Sequence, residues 1–129
     1  MNSGGPVLKR ILVVEDEALV ALYTQELLED AGHTVVGLAA TGESALALAE
    51  HNRIDLALLD IRLPGGMDGV EVAAALRARY RTPIIFVSGT LDAETLERTR
   101  VVAPLACLQK PVRPSELLAA VNRAPLPKL

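Results

Sequence analysis

Two short aliphatic runs in this chain each end abruptly in acidic residues. Residues 11–14 (Ile-Leu-Val-Val) run into residues 15–17 (Glu-Asp-Glu), and residues 56–59 (Leu-Ala-Leu-Leu) run into Asp60. A continuous aliphatic run bounded by charge is typical of a strand buried on both faces of a parallel sheet. Ligands of open parallel sheets bind at the carboxyl ends of the strands. If the two strands are neighbours, at least three carboxylates meet at one edge, and their mutual repulsion favours a bound cation.

Length and composition indicate one domain with an aliphatic core. The chain has 129 residues, and half of them are hydrophobic. Its net charge is −3 and it has no block of basic residues, so the composition argues against direct nucleic-acid binding. No apolar segment is long enough to span a bilayer, and the first six residues lack the apolar stretch of a signal peptide. The single cysteine, Cys107, cannot form an internal disulfide. We therefore expect a cytoplasmic protein without membrane contact.

Strand-like and helix-like segments alternate along the chain. This alternation predicts a three-layer α/β domain, in which helices cover a parallel sheet through right-handed crossovers. In the first helix, Leu19, Tyr23 and Leu27 are spaced along one face, in the pattern of an amphipathic helix. The predicted strands cover residues 10–14, 34–38, 55–59, 83–87 and 106–109, and the predicted helices cover residues 17–31, 42–51, 70–80, 92–100 and 114–123.

Polar side chains follow four of the predicted strands at the points where these strands end. They are Glu15 and Asp16 after the first strand, Asp60 after the third, Ser88 after the fourth and Lys110 after the fifth. In a doubly wound sheet these ends face the same side, so we expect the side chains to cluster. Carboxylates suit a hard cation such as Mg²⁺, and one of them can attack a phosphoryl group as a nucleophile. A lysine neutralises charge on that group, and a hydroxyl donates a hydrogen bond to it.

The strand-end residues belong to a series of short motifs. The motifs are Val14-Glu15-Asp16-Glu17, Leu59-Asp60, Leu63-Pro64 with Met67-Asp68-Gly69, Val87-Ser88-Gly89 and Lys110-Pro111. In this order and spacing they resemble the receiver domain of two-component response regulators, over residues 9–123. The resemblance implies a (βα)5 flavodoxin-like, CheY-like fold with strand order 2-1-3-4-5. It implies a signalling domain that accepts a phosphoryl group and catalyses no reaction beyond its own phosphorylation and dephosphorylation. The implied partners are a sensor histidine kinase or histidine phosphotransfer protein and a downstream protein.

The resemblance also implies which residues hold the metal and the phosphoryl group. Asp60 corresponds to the phosphoacceptor, which also contacts Mg²⁺, and Asp16 corresponds to a direct ligand of the metal. Glu15 corresponds to a water-mediated ligand, although it replaces the commoner aspartate with a longer side chain. The third protein ligand in the family is a backbone carbonyl, which falls here on Arg62. The loop over residues 63–67 is one glycine longer than the commonest pattern, which could alter the geometry of the metal site.

Other residues correspond to the part of the family that responds to phosphorylation. Ser88 corresponds to the switch hydroxyl and Lys110 to the lysine that binds the phosphoryl group, with a cis bond expected before Pro111. Three residues before the lysine, the family usually has an aromatic side chain that turns inward when the hydroxyl moves; here that residue is Cys107. A cysteine is too small to report the movement in the same way. We therefore expect another rearrangement of the face formed by the fourth helix, fifth strand and fifth helix.

The residues leave several alternatives open. Taken alone, residues 15–17 also suit the start of a helix. A small Mg²⁺-dependent phosphatase with an aspartyl nucleophile generally has a second acid two residues later, where this chain has Arg62. A degenerate receiver that binds partners without phosphorylation is a third alternative, because Cys107 departs from the family pattern. Dimerisation through the last two helices is a further expectation that the sequence does not test.

The domain organisation follows from the same segments. We expect a flexible lead-in over residues 1–8, the receiver domain over residues 9–124 and a short tail over residues 125–129. Because few residues follow the last predicted helix, we expect a stand-alone receiver. The alternative is a receiver excised from a larger hybrid kinase or transcription regulator.

The remaining polar residues are expected to have no part in the chemistry. His33 and His51 follow helix-like segments, and we expect both to be solvated. We expect Cys107 to be a small core or interface residue, because no histidine is placed to activate it. The charged residues of the fourth helix are expected to form a solvated face; they are Glu94, Glu97, Arg98 and Arg100.

Overall fold

Strands and helices alternate along the computed structural model, which describes residues 7–126. The lead-in predicted over residues 1–8 and the tail predicted over residues 125–129 lie largely outside the described residues. No helix within residues 7–126 combines the length and apolar character needed to cross a membrane. The strands are β1 (Arg10–Val14), β2 (Thr34–Ala39), β3 (Leu56–Leu59), β4 (Ile84–Ser88) and β5 (Ala106–Gln109), and the helices are α1 (Ala18–Asp30), α2 (Gly42–His51), α3 (Gly69–Tyr80), α4 (Ala93–Thr99) with a 3₁₀ turn over Arg100–Val102, and α5 (Pro114–Arg123).

The strands form one parallel sheet in the order β2-β1-β3-β4-β5. This order confirms the predicted three-layer α/β fold of the flavodoxin-like type. All four residues of β3 and the last four of β1 are buried, which explains why both runs are aliphatic without interruption. Val14 of β1 pairs with Leu59 of β3, so the acids that follow these two residues begin at the same level of the sheet edge.

Alternate residues of the central strands supply two separate cores. On one face of the sheet, Leu12 and Phe86 pack in a cluster with residues of α2 and α3. On the other face, Ile11 packs with Leu28 of α1 and Val121 of α5. Each of these side chains is fully buried, and burial of one such side chain stabilises a fold by roughly 1.5–3 kcal/mol. The two cores fix the sheet between its helices and so fix the edge at which the strands end.

Asp68 is the N-cap residue of helix α3, which begins at Gly69. Oδ1 of Asp68 accepts a hydrogen bond from the Glu71 backbone N–H at 3.0 Å, and Oε1 of Glu71 accepts one from the Asp68 N–H at 3.1 Å. This reciprocal capping box satisfies two of the free N–H groups at the helix start. The loop between Asp60 and α3 therefore ends at a well-defined point.

The face of α1 that carries the amphipathic pattern is largely exposed. Leu19 is 82% exposed and Tyr23 is 56% exposed, whereas Leu27 is only partly buried. The buried residues of this helix are Ala21 and Leu28. The buried side of α1 is thus set by Ala21 and Leu28, and Leu19 and Tyr23 lie outside it.

The prediction that His33 is solvated was wrong. His33 is only 4% exposed, because it lies at the start of β2 beside Lys9, which is itself 2% exposed. Its Nδ1 accepts a hydrogen bond from the Lys9 backbone N–H at 3.1 Å, which requires the neutral imidazole. Burial, and then the ammonium of Lys9, lower the pKa of His33 below its usual value. His51, in contrast, is exposed as expected.

Candidate functional site

The carboxyl ends of β1 and β3 bring three acids together. The Asp60 N–H donates to the Val14 carbonyl at 2.9 Å, and the Glu15 N–H donates to the Ala39 carbonyl at 2.8 Å, so backbone bonds fix both acids at the sheet edge. Carboxylate oxygens of Glu15, Asp16 and Asp60 all lie within 4.8 Å of one another. Asp16 is exposed, which leaves room for the water ligands that Mg²⁺ retains. The donor set and its exposure therefore fit a magnesium ion.

Lys110 reaches this cluster from the end of β5. Its backbone N–H donates to the Ser88 carbonyl at 2.9 Å, and its Nζ lies 2.8 Å from Oδ2 of Asp60 and 2.5 Å from Oε1 of Glu15. Partial burial lowers the pKa of Lys110, but its bonds to the two carboxylates outweigh this effect and raise that pKa above its usual value. The lysine is therefore a fixed positive charge beside Asp60. The Lys110–Pro111 peptide bond is cis.

Glu15 is bonded through both of its carboxylate oxygens. Oε1 pairs with Lys110, and Oε2 accepts the Glu17 backbone N–H at 3.0 Å, at the start of α1. Glu15 is also 7% exposed, the most enclosed of the three acids by this measure. The exposed carboxylate of Glu17 lies 3.9 Å from the same lysine. The longer side chain of glutamate thus allows this position to contact the lysine directly.

The loop after Asp60 closes tightly on the acid. The Arg62 backbone N–H donates to Oδ1 of Asp60 at 3.2 Å, and the Gly69 N–H donates to the Ile61 carbonyl at 2.7 Å. A Cβ on Gly69 would overlap the carbonyl oxygen of Asp60, so only glycine fits. Gly65 of the same loop adopts a left-handed φ of +96°, which favours glycine.

The Ser88 hydroxyl is bonded within its own loop. Ser88 is 1% exposed, and its Oγ accepts the Thr90 backbone N–H at 3.3 Å. The Gln109 side chain donates to the Gly89 carbonyl at 2.8 Å and so braces the same loop from β5. The structure places Ser88 at the predicted sheet edge, with its hydroxyl directed to Thr90.

Cys107 lies partly buried beneath α4. Its Sγ is 3.8 Å from Oγ1 of Thr99, a buried residue at the end of that helix, and it packs against the core that contains Phe86. This position agrees with the expectation of a small core residue.

A wide groove runs from the acidic cluster between α1 and α5. Its volume is about 490 Å³, and its walls are mainly aliphatic side chains of β1, β3, α1 and the β5–α5 connection. Glu15, Asp60 and Lys110 line one part of the groove, and the exposed Leu19 and Tyr23 of α1 also line it. An occupant of this groove would therefore lie next to Asp60.

Sequence reasoning missed one contact near the site. Nη2 of Arg98, on α4, lies 2.5 Å from Oδ2 of Asp68, the cap of α3. The two residues are 30 positions apart, and no local pattern signals their contact. The four charged residues predicted to form a solvated face are all exposed, and Arg98 pairs with Asp68 at that surface.

Comparison with known proteins decides the family. Residues 11–122 match the family described as response regulator receiver domain. The chain belongs to this family. Receiver domains are signalling modules of two-component systems, and the acidic cluster described above agrees with their general use of Mg²⁺.

Curated relatives are regulators of greater length. The chain is 33% identical over 123 residues to the transcriptional regulatory protein PdtaR of Mycobacterium tuberculosis, covering 95% of this chain and 60% of that protein. It is 33% identical over 115 residues to the phyllosphere-induced regulator PhyR of Methylorubrum extorquens, covering 88% and 42% respectively. The chain thus spans about half the length of these curated relatives.

Solved receiver structures superpose closely. The signal receiver domain of a modulated diguanylate cyclase from Desulfovibrio desulfuricans G20 is 41% identical, with a TM-score of 0.86 over 92% of this chain and 94% of that one. A CheY-like receiver domain protein from Methanospirillum hungatei JF-1 is 35% identical, with a TM-score of 0.80 over 89% and 91%. Fold and family agree in both comparisons.

Proposed function

We propose that the domain over residues 9–124 accepts a phosphoryl group on Asp60 from a phosphohistidine donor and thereby switches the binding of a protein partner. One observation carries the proposal: the Nζ of Lys110 lies 2.8 Å from Asp60, at a sheet edge where three carboxylates meet. A nucleophilic carboxylate, a fixed positive charge and a place for a divalent cation are the parts that transfer to an aspartate requires.

Phosphoryl transfer forms one bond to Asp60 and breaks one bond in the donor. An oxygen of the Asp60 carboxylate attacks the phosphorus, and the phosphorus–nitrogen bond of the phosphohistidine breaks. The electron pair stays on the imidazole, which takes up a proton and leaves neutral. Mg²⁺, held by Asp16, Asp60, the Arg62 carbonyl and, through water, Glu15, would neutralise charge on the phosphoryl oxygens.

Lys110 and Ser88 stabilise the product. Lys110 already contacts Asp60 and can transfer its ion pair to a phosphoryl oxygen with little movement. The Ser88 O–H donates to the Thr90 carbonyl at 3.5 Å and must instead donate to the phosphoryl group. That exchange frees the Thr90 carbonyl and changes the loop that leads into α4. The phosphorylation state is thereby linked to the surface of α4 and β5.

The exposed apolar surface of α1 suits the donor protein. Leu19, Leu22 and Tyr23 are each more than half exposed, and the groove beside them ends at Asp60. A donor helix that covers these side chains would bring its phosphohistidine to the acid. A downstream partner, or a second copy, would contact the opposite surface, where Val101 is 79% exposed and Leu105 is 46% exposed.

The test uses intact mass. The protein is incubated with acetyl phosphate, with and without Mg²⁺, and compared with Asp60→Asn and with Asp30→Asn, a matched change at an exposed acid of α1. We expect one labile adduct in the wild type and in Asp30→Asn, and none without Mg²⁺ or in Asp60→Asn. If neither acetyl phosphate nor a phosphohistidine protein yields an adduct, the proposal is wrong.

A further inference from the structure

Helix α4 is tied to the loop that carries the phosphoacceptor. Nη2 of Arg98 lies 2.5 Å from Oδ2 of Asp68, and the side chains of the pair are 49% and 30% exposed, respectively. The other oxygen of Asp68, Oδ1, accepts the Glu71 N–H and caps α3. Asp68 therefore contacts two helices: one oxygen caps α3, and the other pairs with Arg98 of α4.

Asp68 is coupled closely to Asp60 through its neighbour. Gly69 packs so tightly on the Asp60 carbonyl that no Cβ fits, and its N–H bonds the Ile61 carbonyl at 2.7 Å. A displacement of the Asp60 backbone would therefore displace Gly69 and, with it, Asp68. Because interiors are close-packed, such a displacement is passed on instead of being absorbed.

The charges around the pair favour its formation. Partial burial raises the pKa of Asp68, but the Glu71 N–H and then Arg98 outweigh this effect and hold that pKa below its usual value. The pair borders a polar cleft of about 290 Å³ between α4 and the loop, which Arg62 and Thr90 also line. Another arginine at the end of the helix, Arg100, pairs only with Glu97, three residues earlier in the chain.

We propose that the Asp68–Arg98 ion pair transmits the phosphorylation state of Asp60 to helix α4. This route does not pass through Cys107, whose side chain is too small to replace an aromatic reporter. The inference rests on the proposed phosphorylation of Asp60 and assigns a positioning role to Arg98. In the unphosphorylated domain the pair holds α4 against the start of α3, and movement of the loop loosens it.

Hydrogen exchange of the segment over residues 93–102 tests this role. Wild type, Arg98→Gln, Asp68→Asn and Arg100→Gln are compared before and after treatment with acetyl phosphate and Mg²⁺, and intact mass reports the adduct in the same samples. Asparagine retains the capping oxygen of Asp68 and removes only its charge. Arg100→Gln is the matched control, because it removes the same charge from the end of α4 without touching the loop.

The expected result is specific to the pair. Before phosphorylation, the amides of residues 93–102 should exchange about twofold to fivefold faster in Arg98→Gln and Asp68→Asn than in wild type, as expected for loss of one partly exposed ion pair. Their exchange rate in Arg100→Gln should equal that of wild type. Phosphorylation accelerates exchange in wild type and Arg100→Gln, but much less in the other two variants.

Three outcomes would overturn the inference. If an adduct forms but Arg98→Gln and Asp68→Asn exchange and respond like Arg100→Gln, the ion pair does not carry the signal, while the proposed function stands. If wild type forms an adduct with no change in this segment, the route through α4 is wrong. If wild type forms no adduct with either acetyl phosphate or a phosphohistidine protein, the proposed function and this inference are both wrong.

Discussion

Gly69→Ala should damage both the stability and the site, although it adds only one methyl group. Its Cβ would overlap the Asp60 carbonyl oxygen and would lie 2.8 Å from the Asp60 carbonyl carbon and from the Ile61 Cα. All three atoms belong to the backbone, so no side chain can rotate away. The Asp60 main chain or the start of α3 must move instead.

The magnitude follows from these contacts. Overpacking in a rigid site destabilises by roughly 1–3 kcal/mol. Replacement of glycine near a helix start returns about 0.5–1 kcal/mol through lower chain entropy in the unfolded state. Because the clash involves only backbone, we expect a net loss near the upper end, about 2 kcal/mol. A shift of about 1 Å at the phosphoacceptor should also slow adduct formation by roughly 100-fold.

Urea unfolding and the rate of adduct formation measure the two effects. Gly89→Ala is the control, because nothing lies within 4 Å of a Cβ at that position. We expect the control to be neutral or slightly stabilising. If Gly69→Ala unfolds within about 0.5 kcal/mol of wild type, the close approach of α3 to Asp60 is not as described, and the reasoning fails.

Three further predictions concern other parts of the molecule. Lys110→Ala should leave the carboxylates of Glu15 and Asp60 without their partner and, in the absence of Mg²⁺, lower the free energy of unfolding by about 1–3 kcal/mol. The variant should still form some adduct. An unchanged urea unfolding curve would contradict this prediction. Burial lowers the pKa of His33 in the folded state, so wild type should lose stability as the pH falls below 6.5. His33→Asn retains an acceptor for the Lys9 N–H and should not show this loss. Parallel pH profiles of urea unfolding for the two proteins would contradict this prediction. Tyr23→Lys should slow transfer from a phosphohistidine protein several-fold while acetyl phosphate labels it normally; equal slowing with both donors would show that α1 affects the chemistry and not docking.

The sequence predicted the features that depend on neighbouring residues. The aliphatic runs of β1 and β3 and the acids after them predicted a buried parallel sheet with an acidic edge. These signals are local, so one sequence suffices to detect them. The strand order, in contrast, came from the resemblance of the motif series to receiver domains.

Features that depend on distant contacts could not be predicted. His33 is buried because Lys9 lies beside it across two strands, a distance of 24 residues along the chain. The Arg98–Asp68 pair joins two helices whose charged residues, viewed alone, suggest only solvation. The exposure of Leu19 and Tyr23 depends on which side of α1 faces the core, and the spacing of the apolar residues alone does not fix that side.

The chemical identity of the phosphorylated residue tests the central claim most directly. Borohydride reduces an aspartyl phosphate to homoserine, and the peptide over residues 54–62, released by trypsin, contains both Asp55 and Asp60. After treatment with acetyl phosphate, Mg²⁺ and borohydride, fragmentation of this peptide should place homoserine at residue 60. Homoserine at residue 55 of this peptide, or at residue 16 in the tryptic peptide over residues 11–53, would contradict the assignment of Asp60 as the phosphoacceptor, as would an adduct that resists borohydride.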